Sequence, residues 1–157
     1  MSSQVRILIA DDHALIRDSL RQLFSVFADI AVAGEAADGP DVLELLARGR
    51  IDLLLLDLRM PGLCGEALIA HIRGLYPDLP ILVLSILNEA QIVLRALKAG
   101  ANGYVAKGQD AEVLIDAIHE VAQGRRFVDP TIVESLAEAM AVETVGGVSG
   151  FGLRAAL

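Results

Sequence analysis

Three carboxylates, a hydroxyl and an ammonium close four short apolar runs in this chain. Asp11 and Asp12 follow "VRILIA" at residues 5–10, Asp57 ends "IDLLLLD" at 51–57, Ser85 ends "PILVLS" at 80–85, and Lys107 ends "GYVAK" at 103–107. Singly, each is an ordinary polar residue closing an apolar run. Brought into one pocket, the three carboxylates would repel one another and raise each other's pKa values unless a cation were present. A hard divalent ion relieves that repulsion. A small set of oxygen ligands with room for water suits Mg²⁺ better than zinc or copper. An aspartate beside Mg²⁺ and facing a lysine is equipped for phosphoryl transfer: the carboxylate attacks phosphorus while metal and ammonium neutralise the equatorial oxygens. Asp57 stands alone on its run and reads as the nucleophile, whereas the adjacent Asp11 and Asp12 share the metal. Ser85 and Lys107 would each meet a phosphoryl oxygen, and the product is an acyl phosphate on the protein itself.

The pocket requires an architecture that gathers run ends. Besides the four runs above, "IAVAGEA" at 30–36 is a fifth, and each is too short for a typical helix. Runs apolar nearly throughout, rather than alternating, suggest strands covered on both faces, as in a parallel sheet. Helical spacing fills the gaps: Ile16, Leu20, Leu23, Phe24 and Phe27 fall on one face, with Arg17, Asp18, Arg21 and Gln22 on the other. Residues 40–48, 65–75, 89–99 and 110–123 repeat the pattern, with Pro40 near a helix start and Gly49, Gly100 and Gly124 at helix ends. Strands alternating with such helices predict right-handed crossovers and an open, doubly wound α/β fold. Five units match the flavodoxin-like strand order 2-1-3-4-5, in which ligands bind outside the carboxyl ends of the strands. One more helix is predicted from about Pro130 to Ala141. The expected organisation is a globular domain over residues 1–124, a linker helix over 125–142, and a glycine-rich flexible tail over 143–157.

Composition narrows the partners. The apolar share is 54% and mean hydropathy is +0.54, yet no run approaches the 18 or so residues of a membrane span, and no signal-peptide order opens the chain. A cytoplasmic protein without membrane contact is expected. A net charge of −8 and a pI near 4.7 disfavour direct contact with a phosphate backbone. The one cysteine, Cys64, forms no internal disulfide and reads as a small loop filler.

With order and spacing preserved, "ADDH" (10–13), "DLRMPG" (57–62), Ser85 and "AGANGYVAK" (99–107) resemble the receiver domain of two-component response regulators over residues 5–123. "LKAGANGYVAK" followed by "LIDAIHEVAQGRRFVDP" is similar to the subfamily whose receivers precede a LuxR/NarL-type helix-turn-helix. The resemblance implies phosphorylation of Asp57 by a histidine kinase or a small phosphodonor. It implies Mg²⁺ ligation by Asp12, Asp57 and the backbone carbonyl of Arg59, with Asp11 helping through water. Ser85 and Tyr104 would form the switch pair, the aromatic ring following the hydroxyl inward on phosphorylation. It further implies homodimerisation on phosphorylation, transcription regulation, and DNA contact only through an output domain that residues 143–157 do not contain.

Some positions depart from that pattern or carry no role in it. Ser85 lacks the methyl group of the threonine found in many relatives. Ile86 and Leu87 are more apolar than residues often found beside the switch hydroxyl, which predicts restricted water access and a long-lived phosphoryl group. Gly108 stands where many receivers have proline, so a trans Lys107–Gly108 bond is expected. His13 reads as a polar helix-start residue rather than a ligand or relay, and His71 and His119 as surface or interface residues. Two other readings stay open: a small phosphatase with Asp57 as covalent nucleophile, which lacks an acid/base aspartate where Arg59 stands, and a pseudo-receiver signalling by contact alone. The expected protein is no turnover enzyme; it assists only its own phosphoryl transfer and dephosphorylation.

Overall fold

The computed structural model describes residues 4–145. Six strands, β1 (Val5–Ala10), β2 (Ile30–Ala36), β3 (Leu53–Leu56), β4 (Ile81–Ser85), β5 (Gly103–Ala106) and β6 (Phe127–Val128), alternate with six helices. The helices are α1 (Ala14–Phe24), α2 (Gly39–Ala47), α3 (Gly65–Leu75), α4 (Ala90–Ala99), α5 (Ala111–Ala122) and α6 (Pro130–Val145). All strand pairs are parallel, in the order β2-β1-β3-β4-β5-β6. The expected order 2-1-3-4-5 is present, and the five-strand count is corrected to six. β6 escaped the sequence reading because a two-residue strand has no periodicity to detect; it forms by completing the open edge of β5.

Alternate residues of each strand enter opposite cores, as the pleat requires. Leu8, Leu54, Leu56, Ile81, Val83 and Tyr104 face a core filled by α2, α3, α4 and α6, through side chains such as Val42, Ile69, Val93 and Leu136. Ile7, Ile9, Leu53, Leu55, Leu82 and Val105 face a second core, closed by Leu20 and Phe24 of α1 and by Leu114, Ile118 and Val121 of α5. Burial on both faces is why these strands read as continuous apolar runs.

Helix ends follow local chemistry. The Asp38 side chain accepts from the Asp41 amide at 2.9 Å to cap α2, with Pro40 in its first turn. Gly100, at φ +130°, ends α4. Two expectations need correction. α1 stops at Phe24, so Phe27 lies beyond it in the turn whose carbonyl accepts from Ile30. α6 extends to Val145, so residues 143–145, expected in the tail, are helical, while 146–157 lie outside the described residues. No cis peptide occurs among the described residues, so Lys107–Gly108 is trans as expected. Among them, no helix is long and apolar enough to cross a membrane.

Candidate functional site

The last rungs of the sheet hold the polar residues in place. The Asp11 amide donates to Ala36 O at 3.0 Å, the Asp57 amide to Ala10 O at 2.9 Å, and the Lys107 amide to Ser85 O at 2.8 Å. Because all strands run parallel, their carboxyl ends lie at one edge, and the side chains that follow the last rungs converge there. Lys107 Nζ donates to Asp11 Oδ2 at 2.9 Å and to Asp57 Oδ2 at 3.3 Å. Asp57 Oδ1 accepts from the Arg59 amide at 3.4 Å, in the turn after β3. Asp11 and Asp57 are only 2% and 4% exposed, and Asp12 lies at the surface above them.

Burial sets the electrostatics. It pushes the Asp57 pKa up; the Lys107 charge opposes this, the Asp11 charge adds to it, and the net shift is upward. Burial also works to raise Asp11, but hydrogen bonds from the Lys107 ammonium and the His13 amide outweigh it and leave the pKa below the ordinary value. Lys107 loses solvation too, and its two carboxylate partners more than compensate, so its pKa rises. The pocket therefore contains an ionised pair beside a second carboxylate that resists ionisation. A divalent cation would reverse that resistance. Ligand atoms of Asp11, Asp12, His13 and Asp57 lie within 4.8 Å of one another, and this mainly oxygen donor set fits such an ion.

His13 is more closely engaged than a plain helix-start residue. It is the N-cap position of α1 without a side-chain cap bond; instead its Nδ1 lies 3.1 Å from Asp11 Oδ1 and 3.0 Å from Asp12 Oδ1. His119 Nε2 meets Asp29 Oδ2 at 2.8 Å, tying α5 to the turn before β2, while His71 is exposed on α3. Cys64 is half-buried just before α3, packed against the core.

Ser85 and Tyr104, the expected switch pair, meet at one peptide. Ser85 Oγ accepts from the Leu87 amide at 3.1 Å, and the Tyr104 hydroxyl donates to the Leu87 carbonyl. Tyr104 is fully buried, so in this structure the ring is already inside the core. Leu87 packs against that core, whereas Ile86 is 58% exposed. The apolar cover expected from both residues therefore reduces to Ile86.

Two residues of the site were not singled out from sequence. Arg17, assigned to the solvent face of α1, is half-buried; its Nη1 donates to the Asp11 carbonyl at 2.6 Å and its Nε to Glu35 at 3.1 Å. Asp129 is fully buried at the start of α6, and its carboxylate accepts from the Ala106 amide beside Lys107 at 2.9 Å. The sequence does contain a signal for it: aspartate followed by proline and threonine is a helix-start pattern.

Residues 7–119 match the model of the response regulator receiver domain. The chain belongs to that family. Among curated relatives of this receiver, the transcriptional regulatory protein DegU of Brevibacillus brevis is 34% identical over 134 residues, covering 85% of this chain and 57% of that protein. The nitrate/nitrite response regulator protein NarL of Escherichia coli is 37% identical over 142 residues, covering 89% and 66%. A two-component response regulator of the LuxR family from Aurantimonas superposes with a TM-score of 0.83 at 34% identity, covering 87% of this chain and 98% of that one. The receiver thus spans 57% to 66% of the length of those two curated relatives. Receiver membership disfavours both the phosphatase and the pseudo-receiver readings.

Proposed function

We propose that this receiver accepts a phosphoryl group on Asp57 and thereby regulates transcription through an attached DNA-binding output domain of the LuxR/NarL type. The observation that carries the reading is the Lys107 ammonium bridging two buried aspartates, 2.9 Å from Asp11 and 3.3 Å from Asp57. An Asp57 carboxylate oxygen forms a bond to phosphorus as the bond from phosphorus to the donor's nitrogen or oxygen breaks, and the electron pair leaves with the donor. That donor is a phosphohistidine of a histidine kinase or a small phosphodonor such as phosphoramidate or acetyl phosphate. Lys107 pairs with one phosphoryl oxygen and Ser85 donates to another. Asp12, Asp57 and the Arg59 carbonyl would hold Mg²⁺, with Asp11 supporting from the outer shell. When bound, the ion would neutralise charge on the phosphoryl oxygens and offset the burial and the Asp11 charge that together raise the Asp57 pKa.

The group added to Asp57 brings about −1.5 to −2 charges into the pocket. Ser85, Tyr104 and Lys107 rearrange around it, favouring a homodimer or releasing the output domain. The protein is cytoplasmic in this reading and catalyses no turnover beyond its own phosphorylation and dephosphorylation. Incubation with phosphoramidate and Mg²⁺ should add about 80 Da to the intact mass, and Asp57→Ala should show no gain. Absence of the gain in the parent protein with both phosphoramidate and acetyl phosphate would overturn the proposal.

A further inference from the structure

We propose that Asp129 is a positioning residue that couples the seating of α6 to the state of Asp57, acting through the loop that carries Lys107. The inference rests on the phospho-acceptor reading above and adds a route out of the site. A parallel ladder between β5 and β6 runs from Phe127 N to Asn102 O at 3.2 Å and from Asp129 N to Tyr104 O at 3.0 Å. The next acceptor should be the Asp129 carbonyl, facing the Ala106 amide. The carboxylate takes its place: Oδ2 accepts from Ala106 N at 2.9 Å, and the carbonyl is freed to accept from the amides of Ile132 and Val133 in α6. Asp129 therefore ends the sheet and starts the helix within one residue.

Its other oxygen completes the fastening. Oδ1 accepts from the Thr131 amide at 2.8 Å, the Thr131 hydroxyl at 2.7 Å and Gln109 Nε2 at 2.9 Å. The segment Ala106–Gln109 is thus pinned from both sides. Lys107 reaches inward to Asp11 and Asp57, while Ala106 before it and Gln109 two residues after it are held by Asp129. Gly108 between them, at φ +95°, gives the loop the left-handed turn that allows this. A new phosphoryl group must draw the ammonium away from at least one present partner. Tyr104 is already buried, so less of the signal has to pass through a ring swing and more through this loop. The carboxylate is fully buried, so a shift that stretches its bonds leaves unpaired acceptors, a cost felt at once by α6. Coupling of this kind is reciprocal: what loosens α6 must favour the occupied site.

The test compares the parent with Asp129→Asn, whose amide keeps the shape but loses one of the two acceptor oxygens. Hydrogen exchange across α6 is read with and without phosphoramidate and Mg²⁺, with loading checked by intact mass, and beryllofluoride affinity is read from fluorine NMR. Loading should speed α6 exchange in the parent about tenfold, within the usual span of coupling between sites. In Asp129→Asn, exchange should be fast and indifferent to loading, and beryllofluoride should bind severalfold more tightly. A purely structural role would raise exchange without removing its dependence on loading. Should Asp129→Asn fail to fold, Gln109→Ala severs the loop side of the latch alone and must reduce the loading-dependent difference. A loaded parent with unchanged α6 exchange, or a variant that keeps the parental difference, overturns the inference while leaving the acceptor reading intact. Failure to load Asp57 at all overturns the acceptor reading itself and the coupling with it.

Discussion

Burial removes the Tyr104 phenol from water and pushes its pKa up to about 12, with the nearby Asp57 charge adding to the shift and the Ser85 hydroxyl opposing it. Between the unfolded value near 10 and that value the folded chain holds a proton that the unfolded chain has lost. Stability from this group is therefore complete below about pH 10 and falls as pH rises toward 12. Two units at about 1.36 kcal/mol each put the eventual loss at about 2–3 kcal/mol. The difference in phenolate absorbance between the parent and Tyr104→Phe should titrate close to 12. A difference that titrates near 10 would mean that the ring is not seated as described.

Among the elements, β5 leaves no space for a side chain at Gly103. A Cβ on Gly103 would lie 2.8 Å from Leu82 Cδ1, 2.8 Å from the Phe127 carbonyl oxygen and 2.9 Å from Val121 Cγ2. The carbonyl belongs to β6 and cannot move without breaking the ladder, so Gly103→Ala should cost about 1–3 kcal/mol through overpacking. Gly74, in α3, has nothing within 4 Å of its virtual Cβ, so Gly74→Ala should be stabilising by about 0.5–1 kcal/mol. Urea midpoints separate the two, and equal behaviour would contradict the close approach of β6 to β5. Hydrogen exchange in Gly103→Ala should rise first in β6 and α6, because these are the elements whose attachment passes over that residue.

Across the whole molecule, a net charge of −8 and a clustered acidic site that could hold a cation predict that divalent ions stabilise the fold. An ion that binds the folded state alone stabilises it by about 2.7 kcal/mol at a hundred times its Kd. For a domain of this size that is about 5–10 °C in Tm. Mg²⁺ should raise Tm by that order against a sodium control of equal ionic strength, and Asp12→Asn should lose most of the gain. Asp12 is exposed, so its replacement leaves the cores untouched. An equal gain in Asp12→Asn would assign the effect to general screening instead.

Sequence alone determined what depends on short-range pattern. Continuous apolar runs such as "LLLL" at 53–56 declare strands buried on both faces, and the polar residue after each run declares the edge where a site must form. Asp11, Asp12, Asp57 and Lys107 were legible for that reason, and the structure places their side chains at one edge. Tertiary structure decided what depends on distant partners. Arg17 left its expected solvent face because the Asp11 carbonyl and Glu35 of β2 lie within its reach. The expected ring swing of Tyr104 finds the ring already buried, in the core that α6 joins through Ile132 and Leu136. β6 and the Asp129 carboxylate could not be read as functional from "RRFVDPT", because a two-residue strand exists only where another strand leaves an edge unpaired. The carboxylate acquires its meaning from the Ala106 amide, 23 residues earlier, which only the folded sheet brings to it.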